Sequence, residues 1–121
     1  MKRKILILIP VVFIFFSCAY HKEDQLYGLN CDTSNVTYST TIKGIINNYA
    51  CLNCHSGPNP IGAGIHLETY DAVKAKVTDG RLFGAINHYP GFAPMPDGAG
   101  KMSQCDIDKV KAWIDAGAPN N

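Results

Sequence analysis

Two cysteines and a histidine within five residues, Cys51, Cys54 and His55, constrain this 121-residue chain more than any other feature. Side chains three and four positions apart lie on one face of a helical turn. The two thiols and the imidazole can therefore reach a single group from the same side. Serine, glycine and two prolines in residues 56–60 predict that the helix ends directly after the histidine.

Cys-x-x-Cys-His is the attachment motif for haem c. The two thiols add across the vinyl groups of the haem, and the histidine binds its iron as the proximal ligand. A backbone carbonyl in the proline-rich exit, for example that of Pro58, is a candidate acceptor for the other imidazole N–H. A zinc site needs a second ligand pair at matching spacing, which Cys31 and Cys105 do not form, and a thioredoxin-type pair needs a strand before the first cysteine. The motif therefore favours haem c.

A second axial ligand for the iron is predicted at Met95, in the loop of residues 91–98. This loop is rich in proline and glycine, and the prolines on either side of Met95 fix its backbone, so that a soft thioether can be presented to iron. Two alternatives stay open, a bis-histidine site that uses His88 and an open coordination position. Met102 is expected to pack in the interior, while His66 and His21 are expected to be exposed or locally hydrogen-bonded.

The N-terminus has the pattern of a secretion signal. Three basic residues at positions 2–4 precede an apolar run at 5–16, then Ser17 and Cys18. The run of 12 residues is shorter than the roughly 20 that a membrane-spanning helix needs. A small residue just before a cysteine resembles the bacterial lipoprotein signal, in which the cysteine becomes the lipid-modified first residue, although the two phenylalanines at 15 and 16 depart from the usual pattern. A signal cut elsewhere, with Cys18 incidental, is the alternative.

This interpretation divides the chain into a signal peptide at residues 1–17, a polar flexible tether at 18–30 and a folded domain at 31–121. The protein is then expected in the cell envelope, as a periplasmic or outer-surface lipoprotein that its lipid anchor holds to a membrane surface. Removal of the signal leaves eight basic against ten acidic residues. Because no basic stripe is present, nucleic acid is not an expected partner.

Helical periodicity is clearest in two segments of the chain. Ile42, Ile45 and Ile46 recur at helical spacing in residues 40–50, and a second amphipathic pattern covers residues 104–116, with Ser103 as its N-cap. Shorter helices are predicted at residues 70–76 and 81–87, separated by the turn signal Asp79-Gly80.

With its haem motif and the ending of residues 110–119, the chain resembles a small monohaem class I cytochrome c, in particular the planctomycete-type cytochrome c domain and small bacterial lipoprotein cytochromes. The resemblance covers about residues 31–119. It implies an all-α, small cytochrome c-like fold in which the N- and C-terminal helices cross beside a covalently bound haem. It also implies electron transfer with redox partner proteins, the iron being held by His55 and Met95.

The five cysteines are then all assigned. Cys18 takes the lipid and two thiols take the haem, which leaves Cys31 and Cys105 to form a disulfide in an oxidising compartment. The sequence shows no nucleophile motif, phosphate-binding loop or paired catalytic carboxylates, so an enzyme is not expected. Two alternative functions remain, a haem-based sensor or ligand-binding module and an electron-entry subunit of a larger oxidoreductase complex.

Overall fold

The computed structural model describes residues 31–58 and 60–121. The predicted signal peptide at 1–17, the lipidation site Cys18 and the tether at 18–30 lie outside the described residues. Within the described part, every regular element is a helix or a helical turn, which confirms the predicted all-α class.

The first helical segment begins with a π-helical turn, Tyr38–Ile42, that continues directly into helix α1, Lys43–Asn48. Thr37 caps its start, because its side chain accepts a hydrogen bond from the N–H of Thr40. The segment was predicted at residues 40–50, so it begins and ends two residues earlier than expected. After the helix, Ala50 adopts a left-handed conformation with φ of 52°, which turns the chain.

Two short helices occupy the middle of the chain, α2 at Tyr70–Thr78 and α3 at Arg81–Ile86. Both were predicted to within two residues at each end. The turn between them contains Gly80 at φ of 76°, a conformation that glycine adopts without steric cost. The last helix, α4, spans Gln104–Asp115, and the Ser103 hydroxyl accepts the N–H of Asp106 at 3.1 Å as the predicted N-cap.

Aromatic side chains join the first helical segment, α2 and α4 in one core. The Tyr38 ring stacks on Trp113 with centroids 5.8 Å apart and meets Tyr70 edge-on at 5.1 Å. Such ring pairs stabilise a core beyond the apolar area that they bury. The buried apolar residues around them are Ile42, Ile45, Ile46, Leu67, Val73, Ile86, Met102, Ile107, Val110 and Ala118.

The residues after α4 return across the start of the first helical segment. The Asn121 carbonyl accepts the N–H of Ser39 at 2.8 Å, and its side-chain oxygen accepts the N–H of Tyr38 at 2.9 Å. Trp113 donates its indole N–H to the Pro119 carbonyl at 2.9 Å. Two of the helix-terminal N–H groups that would otherwise lack partners are thus satisfied by distant residues.

Two further connections join the start of α4 to earlier parts of the chain. Cys31 and Cys105 form the predicted disulfide, with Cα atoms 5.5 Å apart. The Tyr49 hydroxyl donates to a carboxylate oxygen of Asp106 at 2.9 Å and accepts the N–H of Ser103 at 3.0 Å. The residues immediately before the Cys-His motif are therefore attached to the N-terminus of the last helix.

Candidate haem attachment site

The Cys-His motif lies in a tight turn directly after α1. Cys51–Asn53 forms a 3-10 turn, and the N–H groups of Cys54 and His55 both donate to the Cys51 carbonyl, at 3.3 and 2.9 Å. The expectation of an ordinary helical turn is therefore only partly met. Because Ala50 is left-handed, the motif starts a separate turn, while the His55 to Cys51 bond retains the four-residue helical spacing.

Both cysteines of the motif are unbonded thiols, and both are partly buried. Cys51 packs beside Leu52 against the apolar core. Burial raises the pKa of the Cys51 thiol, because the low-dielectric surroundings disfavour the thiolate. The cysteines that form the disulfide are a different pair, so these two sulfur atoms are available for covalent chemistry.

The imidazole of His55 is oriented by a backbone carbonyl ten residues further along the chain. Its Nδ1 lies 3.0 Å from the Ile65 carbonyl oxygen. A carbonyl oxygen only accepts, so Nδ1 carries the proton in this bond, and in a neutral imidazole bonded in this way the lone pair that can bind a metal is that of Nε2. The proposed acceptor at Pro58 is wrong, because the chain folds back over the histidine and brings Ile65 to it. The N–H of Leu67 reinforces this return by donating to the His55 carbonyl at 2.9 Å.

Gly62 allows the returning chain to pass close behind the motif. It ends the 3-10 turn Pro60–Gly62, and a Cβ at this position would lie 2.2 Å from the Cys54 carbonyl oxygen and 3.0 Å from Nδ1 of His55. A contact of 2.2 Å is impossible without movement of the backbone. Sequence reasoning missed both Gly62 and Ile65. The glycines at 62 and 64 were the available signal for the first, and no local pattern marks the second.

Met95 is partly buried, on the loop that follows α3. Its N–H donates to the Ala85 carbonyl at 3.0 Å, and its own carbonyl lies 3.0 Å from Nε2 of His88. The peptide bond between Met95 and Pro96 is cis. These hydrogen bonds hold the backbone of Met95 to α3 and to His88, whereas the backbones of Cys51, Cys54 and His55 share a turn of their own.

The other candidate ligands have different surroundings. Met102 is 6% exposed and belongs to the apolar core, in agreement with its predicted packing role. His66 is exposed, with Nδ1 at 3.7 Å from a carboxylate oxygen of Glu68, and His21 lies outside the described residues. His88 uses Nε2 for the Met95 carbonyl, so that nitrogen is engaged within the protein.

An apolar pocket of about 310 Å³ lies between α2, α3, α4 and the loop after α3. Neither Met95 nor any residue of the Cys-His motif lines it; the lining residues are Val77, Gly80, Phe83, Gly84, Tyr89, Phe92, Lys111, Ile114 and Asp115. Across residues 31–58 and 60–121, no three His, Cys, Asp or Glu side chains converge as a metal-binding group. In the same part of the chain, no helix is long and apolar enough to cross a membrane.

No protein-family model, curated protein or solved structure matches this chain. Its chemistry is therefore judged from the donor atoms themselves. Two thiols outside the disulfide and an imidazole bonded through Nδ1 lie in one turn, and Met95 carries a thioether on a separate loop, where its backbone carbonyl is hydrogen-bonded to His88.

Proposed function

We propose that this protein transfers electrons by means of one covalently attached haem c, with His55 and Met95 as the axial ligands of its iron. The observation that carries the proposal is the donor set of the motif. Cys51 and Cys54 are not disulfide-bonded, and the neighbouring imidazole donates a hydrogen bond through Nδ1–H to the Ile65 carbonyl, which leaves Nε2 for a metal. Metal-binding histidines are commonly oriented by such a hydrogen bond to their second nitrogen.

These residues fit haem c in number and kind. The porphyrin supplies four of the iron's bonds, so the protein needs to supply at most two ligands and no larger cluster of side chains. Thioether bonds would form at Cys51 and Cys54, and Nε2 of His55 would bind the iron from the same turn. The haem supplies one-electron chemistry when bound, by the change of its iron between the ferric and ferrous states.

The remaining task of the chain is to keep both ligands in place in both oxidation states. Ile65 holds the imidazole ring of His55, and Ala85 together with His88 holds the backbone of Met95. A thioether ligand favours the ferrous state and raises the reduction potential relative to a second histidine. This combination suits an electron carrier that binds its ligands permanently.

The proposal includes the location of the protein and its architecture. The Cys31–Cys105 disulfide supports an oxidising compartment, since structural disulfides are rare in the cytosol. Lipidation of Cys18 would hold the domain on a membrane surface of the cell envelope, where it meets redox partner proteins.

The attachment of Tyr49 to the start of α4 supports the cytochrome c-like arrangement, in which the first and last helices cross beside the haem.

The first test asks whether haem is attached and by which residues. The full chain is produced in cells that attach haem c, and covalent haem is detected on a denaturing gel. We expect covalent haem in the wild type and its loss in the double variant Cys51→Ser, Cys54→Ser. His55→Ala is expected to lose the proximal ligand, whereas His66→Ala, at an exposed histidine, serves as the control and keeps the wild-type spectrum. A wild type without haem would refute the proposal.

The second test concerns Met95 and uses the same substitution at two methionines. In the ferric protein, a far-red sulfur-to-iron absorption band is expected in the wild type and in Met102→Leu, and is expected to be absent from Met95→Leu. A wild type that lacks this band and binds carbon monoxide readily when ferrous would instead indicate a sensor or ligand-binding module. Copurification with a larger oxidoreductase from membranes would indicate an electron-entry subunit.

A further inference from the structure

The segment between α3 and Met95 is folded back onto the end of that helix. The Ala85 carbonyl accepts two N–H groups, that of His88 at 3.1 Å and that of Met95 at 3.0 Å. The Tyr89 N–H donates to the Gly84 carbonyl at 2.9 Å. The N–H of Met95 is thus fixed by the main chain of α3, and its carbonyl is fixed by a side chain.

That side chain is the imidazole of His88. Its Nε2 lies 3.0 Å from the Met95 carbonyl oxygen in a partly buried position. Because a carbonyl oxygen cannot donate, Nε2 must carry the proton in this bond. His88 therefore donates to the backbone of the proposed ligand and does not offer this nitrogen to iron.

The backbone of His88 adopts a conformation that does not favour a histidine. His88 has φ of 58°, in the left-handed region, where any residue with a Cβ is destabilised relative to glycine. A glycine would fit the turn at lower conformational cost, yet it has no side chain to reach Met95. The imidazole contributes an interaction that the turn itself does not need.

We infer that His88 is the positioning residue for the sixth haem ligand. Its Nε2–H holds the Met95 carbonyl, and this bond, together with the Ala85 bond to the Met95 N–H, sets the direction in which the thioether leaves the loop. The inference rests on the proposed function of Met95 as the axial ligand. It assigns to His88 a role that neither a bis-histidine site nor a packing role would give it.

The test measures how easily an added ligand replaces Met95. Ferric haem-loaded protein is titrated with imidazole, and binding is followed by loss of the far-red sulfur-to-iron band. Loss of one hydrogen bond that holds the bound arrangement corresponds to a change of about fivefold in the equilibrium. We therefore expect His88→Leu to bind imidazole about five times more tightly than the wild type.

Two more variants separate the hydrogen bond from the backbone and from folding. Gln has an amide donor at about the reach of Nε2, and like Leu it is destabilised by the left-handed backbone conformation at position 88. His88→Gln is therefore expected to bind imidazole almost as weakly as the wild type. His88→Gly removes the donor but also removes the cost of a Cβ at a positive φ. It is therefore expected to bind imidazole as tightly as His88→Leu and to be at least as stable to unfolding as His88→Leu. His66→Ala is the control and is expected to match the wild type.

The outcomes distinguish this inference from the proposed function. If the wild type lacks the sulfur-to-iron band, or Met95→Leu retains it, the assignment of Met95 itself fails. If that assignment holds but all His88 variants bind imidazole as the wild type does, the positioning role is refuted. It is equally refuted if His88→Gln binds imidazole as tightly as His88→Leu does, because the hydrogen-bond donor would then be irrelevant. A low-spin spectrum that persists without Met95 and disappears without His88 would make His88 a ligand and overturn the inference.

Discussion

At the scale of single residues, Gly62 sets how closely the chain can return behind the proposed haem ligand. Its missing side chain leaves room for the carbonyl of Cys54 and for Nδ1 of His55. A methyl group there would press on backbone atoms, which cannot rotate away as a flexible side chain can. The geometry of the His55 to Ile65 hydrogen bond therefore depends on Gly62, whose own carbonyl also accepts the N–H of Ile65 at 2.9 Å.

We expect Gly62→Ala to destabilise the protein by about 1–3 kcal/mol, since overpacking against rigid neighbours has costs of this size. Gly44→Ala is the matched control. Gly44 lies in α1 with no heavy atom within 4 Å of the added Cβ, and glycine to alanine in a helix stabilises by about 0.5–1 kcal/mol. Urea titration of both variants measures the difference. Equal stability of the two would show that the close approach behind His55 is not maintained in solution.

At the scale of elements, the carboxylate of Asp79 adds side-chain hydrogen bonds to the backbone bonds of the turn between α2 and α3. Asp79 accepts the N–H of Arg81 at 3.0 Å and the ammonium group of Lys76 at 3.0 Å. The Arg81 N–H is the largest influence on this carboxyl, and together with Lys76 and the Arg81 charge it holds the pKa of Asp79 below its ordinary value of 3.8. The charged form is thus the one that the folded turn favours.

The sign of the resulting pH dependence follows from this lowered pKa. The stabilisation by the charge is fully present above the ordinary value of 3.8 and disappears as the pH falls through the lower value of the folded protein. Asp79→Asn keeps an oxygen for the Arg81 N–H but has no charge. We expect the melting temperature of the wild type to exceed that of Asp79→Asn at about pH 6 and the gap to close in strong acid. A gap that does not change with pH would contradict this account.

How well the sequence predicted each element depended on how local its determinants are. Helix α4 was predicted to within one residue because its cap, Ser103, and its stop signals are encoded next to it. The first helical segment was misplaced by two residues. It begins with a π-helical turn whose first N–H groups bond to Asn121, a partner 83 residues away from Tyr38 that no local pattern reveals.

At the scale of the whole molecule, one covalent bond joins the beginning of the described chain to its last helix. Cys31 and Cys105 are 74 positions apart. In the chain-entropy account, a disulfide that closes a long loop restricts the unfolded chain more than the folded one. The stability of so small a domain is therefore expected to depend on this bond.

We expect the double variant Cys31→Ser, Cys105→Ser to lose about 2–5 kcal/mol of unfolding free energy. Replacing both cysteines avoids a single thiol that could pair with Cys51 or Cys54. Guanidinium titration of the variant, and of the wild type with a reductant, should give the same lowered midpoint. A midpoint equal to that of the oxidised wild type would show that the bond contributes nothing to stability.

The candidate site was predictable only as far as its residues are neighbours in sequence. Cys51, Cys54 and His55 form a motif that can be recognised directly. The group that orients the imidazole could not be found in this way, because Ile65 reaches it only when the chain folds back. The same holds for His88, which stood as a rival ligand to Met95 and proved to be bonded to its carbonyl.

The disulfide also decides what a single break in the backbone would do. Cys51, Cys54, His55 and Met95 all lie between Cys31 and Cys105, inside one closed covalent ring of main chain and sulfur. A protease that cuts this ring once opens it without dividing it, so both proposed ligands stay on one connected molecule. A protein nicked in this way would run as a single band without reductant and as two fragments only when both the disulfide and any haem crosslink between them are absent.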